Sequence, residues 1–122
     1  MKFSLETGGQ GYGVRGYEPG RIMTDAGAYS TSLLLMADLL DAEWAPERIE
    51  ELTGRHVAAI ARHRPEVVIL GTGARQIFPD LRVFVELMDA GIGFEVMDTA
   101  AACRTYTVLR SEGRRVLAAL FP

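Results

Sequence analysis

The feature that most limits the possible folds is an alternation of strand-like and helix-like segments over residues 46–122. Apolar, β-branched runs such as 66–70 (EVVIL) end at glycine and predict strands that are buried on both faces. Between these runs, apolar residues recur at helical spacing. Alternation of this kind requires crossover connections and a mainly parallel sheet covered by helices. The chain is therefore predicted to have an α/β fold.

Proline, glycine and capping residues predict where these elements begin and end. The first helix starts either at Pro46, as its first residue, or at Thr53, as its N-cap, and it ends by residue 64 because Pro65 follows. A second helix is predicted for 79–88, closed by Gly91, and a third from 98 or 99 to about 111. Strands are predicted at 66–70, 92–97 and 115–121. The second helix carries four large apolar residues on one side: Leu81, Phe84, Val85 and Met88.

The first 44 residues contain shorter segments. Six glycines up to Gly20 disfavour a helix, so short strands and turns are predicted, including a hairpin around residues 12–17. Residues 21–24 predict a strand and 25–27 a turn. We interpret 30–36 as a strand, although the LLLMADLL run also fits a buried helix. An irregular stretch then leads to Trp44, which is interpreted as a core residue packed over the sheet.

Composition limits the class of protein. A chain of 122 residues with 48% hydrophobic residues predicts one domain, 1–122, with its own core. No apolar run is long enough to cross a bilayer and no leader pattern is recognised, so a cytoplasmic, bacterial protein is expected. The net charge of −3 argues against a nucleic-acid partner. The single cysteine, Cys103, excludes an intramolecular disulfide and a multi-cysteine zinc site.

A GxGxxG match at 11–16 is not expected to bind a dinucleotide. That chemistry needs a strand before the glycines and a helix after them, so that backbone N–H groups meet the pyrophosphate. Here residues 17–20 (YEPG) follow, and this sequence does not open a helix. The segment is interpreted as β structure and turns.

A second glycine-containing loop lies in a better position for binding. Gly71, Thr72, Gly73 and Arg75 follow the 66–70 strand, at the end of the sheet where open α/β folds bind ligands. The glycines allow close approach of the backbone to an anion, and Arg75 can add a charge-assisted hydrogen bond. A tight turn without a ligand explains the same residues.

A polar cluster, 95–106, follows the next predicted strand. Asp98 is expected to cap the third helix, while Glu95 lies at the end of the strand. Arg104 is predicted either to form a buried ion pair with these carboxylates or to bind a carboxylate ligand. Cys103 is interpreted as a core residue, because a nucleophilic thiol needs a base nearby.

The two histidines do not predict a metal site. His56 and His63 lie seven residues apart on the first helix, far from Cys103, whereas metal-binding pairs on helices usually have i, i+4 spacing. They are interpreted as residues of a partly solvated face. No metal and no cofactor are predicted.

Two segments carry a family resemblance: 67–73 (VVILGTG) and 91–122 (GIGFEVMDTAAACRTYTVLRSEGRRVLAALFP). They resemble a family of small uncharacterised α/β domains of bacteria and archaea, whose mitochondrial relatives include an assembly factor of respiratory complex I. The resemblance implies a three-layer α/β domain with a mostly parallel mixed sheet and an added N-terminal β hairpin. It implies no defined activity and no cofactor. Thr107 stands where family members usually have asparagine.

Two functions remain open. The favoured one is a non-catalytic domain that acts through protein partners, as a monomer or weak homodimer; a role in respiratory-complex assembly follows from the resemblance alone. The alternative is a protein or enzyme that binds a small anionic ligand between the 71–75 loop and the 95–104 segment. A binding site predicts a pocket with an unpaired polar group. An interaction domain predicts that the polar groups satisfy one another and that an apolar patch is exposed elsewhere.

Overall fold

The computed structural model describes residues 11–44 and 46–122, which form eight strands and three α-helices. The strands are β1 (Val14–Glu18), β2 (Arg21–Thr24), β3 (Gly27–Tyr29), β4 (Leu33–Met36), β5 (Leu39–Asp41), β6 (Val67–Thr72), β7 (Gly93–Met97) and β8 (Val116–Phe121). The helices are α1 (Gly54–Ala61), α2 (Val85–Asp89) and α3 (Thr99–Ser111). Two 3-10 helices, Ile49–Glu51 and Leu81–Phe84, precede α1 and α2.

The central sheet has five strands in the order β5-β4-β8-β6-β7. Strand β6 pairs in parallel with both β7 and β8, which confirms the parallel arrangement predicted for the second half of the chain. Strand β4 pairs antiparallel with β8 and with β5, so the sheet is mixed. The predicted α/β fold with a mixed sheet is confirmed.

A second sheet, β1-β2-β3, is antiparallel and contains the predicted N-terminal β hairpin. Its first turn lies at Pro19 and Gly20, not within 12–17, because Gly20 takes the positive φ of +89° that this turn needs. A register shift between Val14 and Gly16 shows a bulge in β1. The bulge twists this edge strand locally.

The central sheet separates two apolar clusters, and neighbouring residues of a strand point to opposite sides. In β4, Leu34 and Met36 pack with Trp44, α1 and α2, whereas Leu33 and Leu35 pack with α3 and the small sheet. Strand β8 alternates in the same way. Both faces of the sheet are therefore covered, which explains the continuous apolar runs in the sequence. The three-layer arrangement is confirmed.

The strand predicted at 30–36 begins later, at Leu33, because the buried Ser32 hydroxyl bonds the carbonyl oxygens of Trp44 and Pro46. The irregular stretch predicted after it contains strand β5, which pairs with β4 across a two-residue connection. Trp44 is buried as expected, with its ring centroid 5.5 Å from that of Phe121.

Helix α1 begins after Thr53, which decides between the two predicted starts. The Thr53 side chain accepts a hydrogen bond from the His56 N–H, and His56 Nδ1 accepts one from the Thr53 N–H at 3.0 Å. This reciprocal capping box satisfies two backbone donors. Arg64 then takes a φ of +54° immediately before Pro65, so the helix cannot continue.

The helix predicted at 79–88 is instead the 3-10 helix Leu81–Phe84 followed by the short helix α2. Asp80 caps the first of these by accepting from the Arg82 N–H at 2.9 Å. The four apolar residues predicted on one side do not share an environment. Phe84 is buried, whereas Leu81, Val85 and Met88 are exposed.

Candidate functional site

The loop after β6 and the N-terminus of α3 lie side by side. The Gly73 N–H donates to Thr99 Oγ1 at 2.8 Å, and the Thr99 N–H donates to the Gly73 carbonyl oxygen at 2.8 Å. The Thr99 hydroxyl donates to the Phe121 carbonyl oxygen at 2.6 Å. Thr99 thus connects α3 to the ends of β6 and β8. A Cβ on Gly71 would lie 2.9 Å from the Ala102 Cβ, so only glycine permits this close packing.

The loop itself is organised by the Thr72 hydroxyl. This hydroxyl bonds the Arg75 carbonyl oxygen and accepts from the Ile77 N–H at 3.1 Å. The side chain of Arg75 is exposed. The backbone N–H and carbonyl oxygen of Gly73, where an anion was predicted to bind, are both hydrogen-bonded to Thr99.

The predicted site residues of the 95–104 segment point to different surroundings. Asp98 accepts from the Ala101 N–H at 2.8 Å and is the N-cap of α3, as expected. Glu95 and Arg104 are both exposed. Within residues 11–44 and 46–122 neither takes part in an ion pair, so the buried ion pair considered for Arg104 does not form. Arg104 lies instead beside β1.

Cys103 lies in the core between α3 and the small sheet. Burial raises the pKa of its thiol from 9.0 to about 11, and the nearby Arg104 only partly opposes this shift. The thiol is therefore protonated at neutral pH and is a poor nucleophile. This agrees with the interpretation of Cys103 as a core residue.

Two other groups on α3 join it to Tyr12, just before β1. The Tyr106 hydroxyl and Arg110 Nη1 both donate to the Tyr12 carbonyl oxygen at 2.7 Å. Burial raises the pKa of Tyr106, while Arg110 acts in the opposite direction. These groups are used in packing the small sheet on the helix.

In the described part of the chain, no group of three or more His, Cys, Asp and Glu side chains is arranged to hold a metal ion. His56 is engaged in the capping box of α1. Nor is any described helix both long enough and apolar enough to cross a membrane.

The sequence analysis missed an exposed apolar surface. Among the described residues, four of the five exposed large apolar side chains lie between residues 78 and 88; we call these four the 78–88 face. They are Phe78 (71% exposed), Leu81 (66%), Val85 (44%) and Met88 (50%). The fifth, Val108, lies on α3 at the other side of the sheet. The missed signal was that residues 81–88 are apolar on two faces, and one short segment can bury only one of them against the sheet.

The charges carried by the segment of the 78–88 face itself are mainly acidic. Arg82 Nη2 lies 2.6 Å from Asp80 Oδ2, and hydrogen bonds from Arg82 lower the pKa of the Asp80 carboxyl to about 2. Glu86 and Asp89 are also exposed on this segment. Three acidic residues therefore accompany one arginine between residues 80 and 89.

The fold and its surface define a class: a three-layer α/β domain in which the loop after β6 is hydrogen-bonded to the start of α3 and the apolar side chains of the 78–88 face are exposed. A solution NMR structure of a Xanthomonas campestris protein has the same fold. Its TM-score is 0.84 at 36% identity, over 99% of this chain and 92% of that chain.

The family follows from the sequence. The model of a protein family of unknown function, DUF498/DUF598, matches residues 14–121, so this chain belongs to that family. A relative named 13 kDa major membrane protein, from Francisella tularensis, is 31% identical over 82% of each chain. The NADH dehydrogenase (ubiquinone) 1 alpha subcomplex assembly factor 3 of Danio rerio is 49% identical over 47% of this chain. That match covers 33% of the assembly factor.

Proposed function

We propose that the protein is a non-catalytic interaction domain that binds a partner protein through the 78–88 face. The observation that carries this proposal is that one short segment has both buried and exposed large apolar side chains. Phe84 and Leu87 are buried, whereas Leu81, Val85 and Met88 are exposed on the same eight residues. A helix that is apolar on both faces is ordinarily buried on both faces. A protein partner supplies the missing cover.

The proposed partner is a protein subunit of NADH dehydrogenase during its assembly. This choice rests on the name of the assembly-factor relatives, which match about half of the chain. The surplus of acidic residues beside the 78–88 face favours a partner segment in which basic residues flank apolar ones. Apolar anchors with a charged rim are typical of specific protein interfaces.

The state of the polar groups supports a non-catalytic role. Gly73, Thr99 and Asp98 bond one another or the backbone of α3, so they are engaged within the fold. The buried Cys103 thiol is protonated at neutral pH. Neither arrangement presents an activated nucleophile or base.

Site-specific crosslinking tests this proposal. A photoreactive phenylalanine analogue is placed at Leu81, and a matched control carries it at Val108, which is also exposed but lies on the opposite side of the sheet. The chains are expressed in the native host, irradiated and purified, and the crosslinked proteins are identified by mass spectrometry. We expect a NADH dehydrogenase subunit to crosslink from position 81 and not from position 108.

Three results contradict the proposal. The first is that no NADH dehydrogenase subunit crosslinks from position 81. The second is equal crosslinking from positions 81 and 108, which indicates random contact. The third is crosslinking from position 81 only to a second copy of this chain, which assigns the face to a homodimer.

A second candidate function, the binding of a small anion, is favoured by one observation. Arg104 has no hydrogen-bond or ion-pair partner among residues 11–44 and 46–122, although it projects from a packed helix beside β1. The predicted cleft lies between the 71–75 loop and the 95–104 segment, which includes Arg104. In the structure, the cavity that Arg104 lines lies against β1 and is not lined by the 71–75 loop.

A further inference from the structure

A cavity of about 250 Å³ lies between β1 and α3. The helix contributes four residues at positions i, i+3, i+4 and i+7, which share one face: Ala100, Cys103, Arg104 and Thr107. Strand β1 contributes Val14, Arg15, Gly16 and Tyr17, the stretch in which the bulge occurs. Bulges often accompany binding sites because they change the direction of nearby side chains.

Two arginines line the cavity, Arg15 and Arg104, and they differ in their ion pairing. Arg15 Nε lies 2.9 Å from Asp25 Oδ1, so this pair is internally neutral. Burial raises the pKa of Tyr17, and the negative charge of the Asp98 carboxylate, which caps α3, adds to this shift. In the part of the chain that the structure describes, Arg104 forms no such pair. Arg104 is therefore the group at this cavity that can bind an anionic headgroup.

The walls of the cavity are largely apolar. Val14 and Tyr17 belong to the apolar cluster between the two sheets, and Cys103 is buried in the same cluster. Ala100 adds a methyl group. The Thr107 hydroxyl donates to the Cys103 carbonyl oxygen at 3.0 Å, which leaves the hydroxyl oxygen as an acceptor only. Walls of this kind favour an apolar ligand body over a fully hydrated ion.

We propose that this cavity binds a small monocarboxylic acid, with the carboxylate on the Arg104 guanidinium and the apolar body against Val14, Ala100 and Tyr17. Arginine and a carboxylate form paired, charge-assisted hydrogen bonds, so the geometry suits this headgroup. The volume is below the ~300–1,000 Å³ of pockets for drug-sized ligands, which limits the ligand to a small acid.

This site is independent of the proposed partner binding. The cavity lies on the side of the central sheet covered by α3 and the small sheet, whereas Phe84 and α2 lie on the other side. Failure to crosslink from position 81 would not contradict the carboxylate site. Failure of carboxylate binding would not contradict the proposed partner binding. The two proposals are therefore tested by separate variants.

Titration of the isotope-labelled protein, followed by NMR, tests the carboxylate site. The probes are benzoate, its neutral analogue benzamide, and inorganic phosphate. We expect benzoate to shift the amide signals of 14–17 and 100–107 and the Arg104 Nε signal, with saturation in the millimolar range or below. Benzamide and phosphate are expected to cause much smaller shifts.

Variants make the test specific. Arg104→Gln removes the charge from an exposed side chain and is expected to weaken benzoate binding by at least about tenfold. Ala100→Leu fills the cavity without changing charge and is expected to abolish binding. Arg55→Gln, on α1 at the opposite side of the sheet, is the matched control and is expected to bind normally.

Several outcomes overturn the carboxylate site. Equal shifts with benzamide would show that the negative charge of the ligand does not contribute to binding. A phosphate response larger than the benzoate response would show that the apolar walls do not contribute. Full binding by the Arg104→Gln protein removes the proposed contact. The absence of any saturating shift with benzoate removes the site altogether.

Discussion

Two residues with reactive side chains, His56 and Cys103, both serve the fold. His56 completes the capping box of α1 with Thr53, a short-range relation that can be recognised in sequence. Cys103 lies at a core position of α3, which its place on the apolar stripe of the helix already indicated. By contrast, the surroundings of Arg104 depend on β1, some ninety residues earlier in the chain, and no local pattern reveals them.

The buried thiol predicts a loss of stability at alkaline pH. The pKa of Cys103 is about 11 in the folded protein against 9.0 for an ordinary thiol. Its contribution is complete below pH 9 and is lost as the pH rises to about 11, because the unfolded thiol ionises first. We expect the free energy of unfolding to fall over this range. Cys103→Ala should reduce the fall by about 2–3 kcal/mol in denaturant titrations. An identical fall in both proteins would contradict the assignment.

For two tyrosines on the same side of the sheet, removal of the hydroxyl is expected to change the free energy of unfolding differently. Tyr106 donates to the Tyr12 carbonyl oxygen, so Tyr106→Phe should destabilise the protein by about 1 kcal/mol. The buried Tyr17 hydroxyl has no hydrogen-bond partner among the described residues. Tyr17→Phe should therefore leave the stability unchanged or raise it by up to about 1 kcal/mol. Equal destabilisation by both variants, measured by urea unfolding, would show that Tyr17 is bonded after all.

At the scale of elements, the junction between α3 and the sheet depends on Thr99. Its hydroxyl links the Gly73 N–H to the Phe121 carbonyl oxygen in a fully buried position. Thr99→Val keeps the shape but leaves both groups without a partner, so a loss of at least about 2 kcal/mol is expected. Thr99→Ser retains the hydroxyl and is expected to keep most of the stability. Unfolding curves of the two variants that coincide would contradict this role.

Elements with a clear local signal were predicted well from sequence. Strands β6 and β8 combine apolar runs with flanking glycine or polar residues, and α3 has an N-cap at Asp98 and an apolar stripe. Strand β5 was missed because its three residues follow a two-residue turn that lacks the usual glycine or asparagine. For residues 79–88, periodicity identified apolar positions, but which of them face the sheet depends on tertiary packing.

The candidate site was less predictable than the fold. The sequence correctly placed the 71–75 loop next to the start of α3, since both follow parallel strands. It did not show that Thr99 bonds the loop directly, because that contact depends on the close approach permitted by Gly71. The exposure of Leu81 and Met88 likewise follows from how α2 packs, which no single-sequence pattern reports.

At the scale of the whole molecule, the central sheet separates two surfaces with different chemistry. The 78–88 face is apolar and its own segment carries three acidic residues, whereas the cavity beside α3 contains arginine. Under the proposed function, changes at the 78–88 face weaken partner binding without affecting the fold, because its side chains are exposed. The double variant Leu81→Asp, Val85→Asp alters exposed side chains only, so its free energy of unfolding is expected to stay within about 1 kcal/mol of the wild type. A larger loss, measured by urea unfolding, would show that the face belongs to the core.

The most direct test of the interaction proposal is the amount of assembled NADH dehydrogenase in native-host cells that lack the chromosomal gene for this chain. The cells carry the wild type, the Leu81→Asp, Val85→Asp protein, or the matched control Val108→Asp, and native gels report the assembled complex. We expect the control to restore assembly to the wild-type level and the double variant to leave it at the level of the deletion. Full restoration by the double variant would contradict the role of the 78–88 face in assembly.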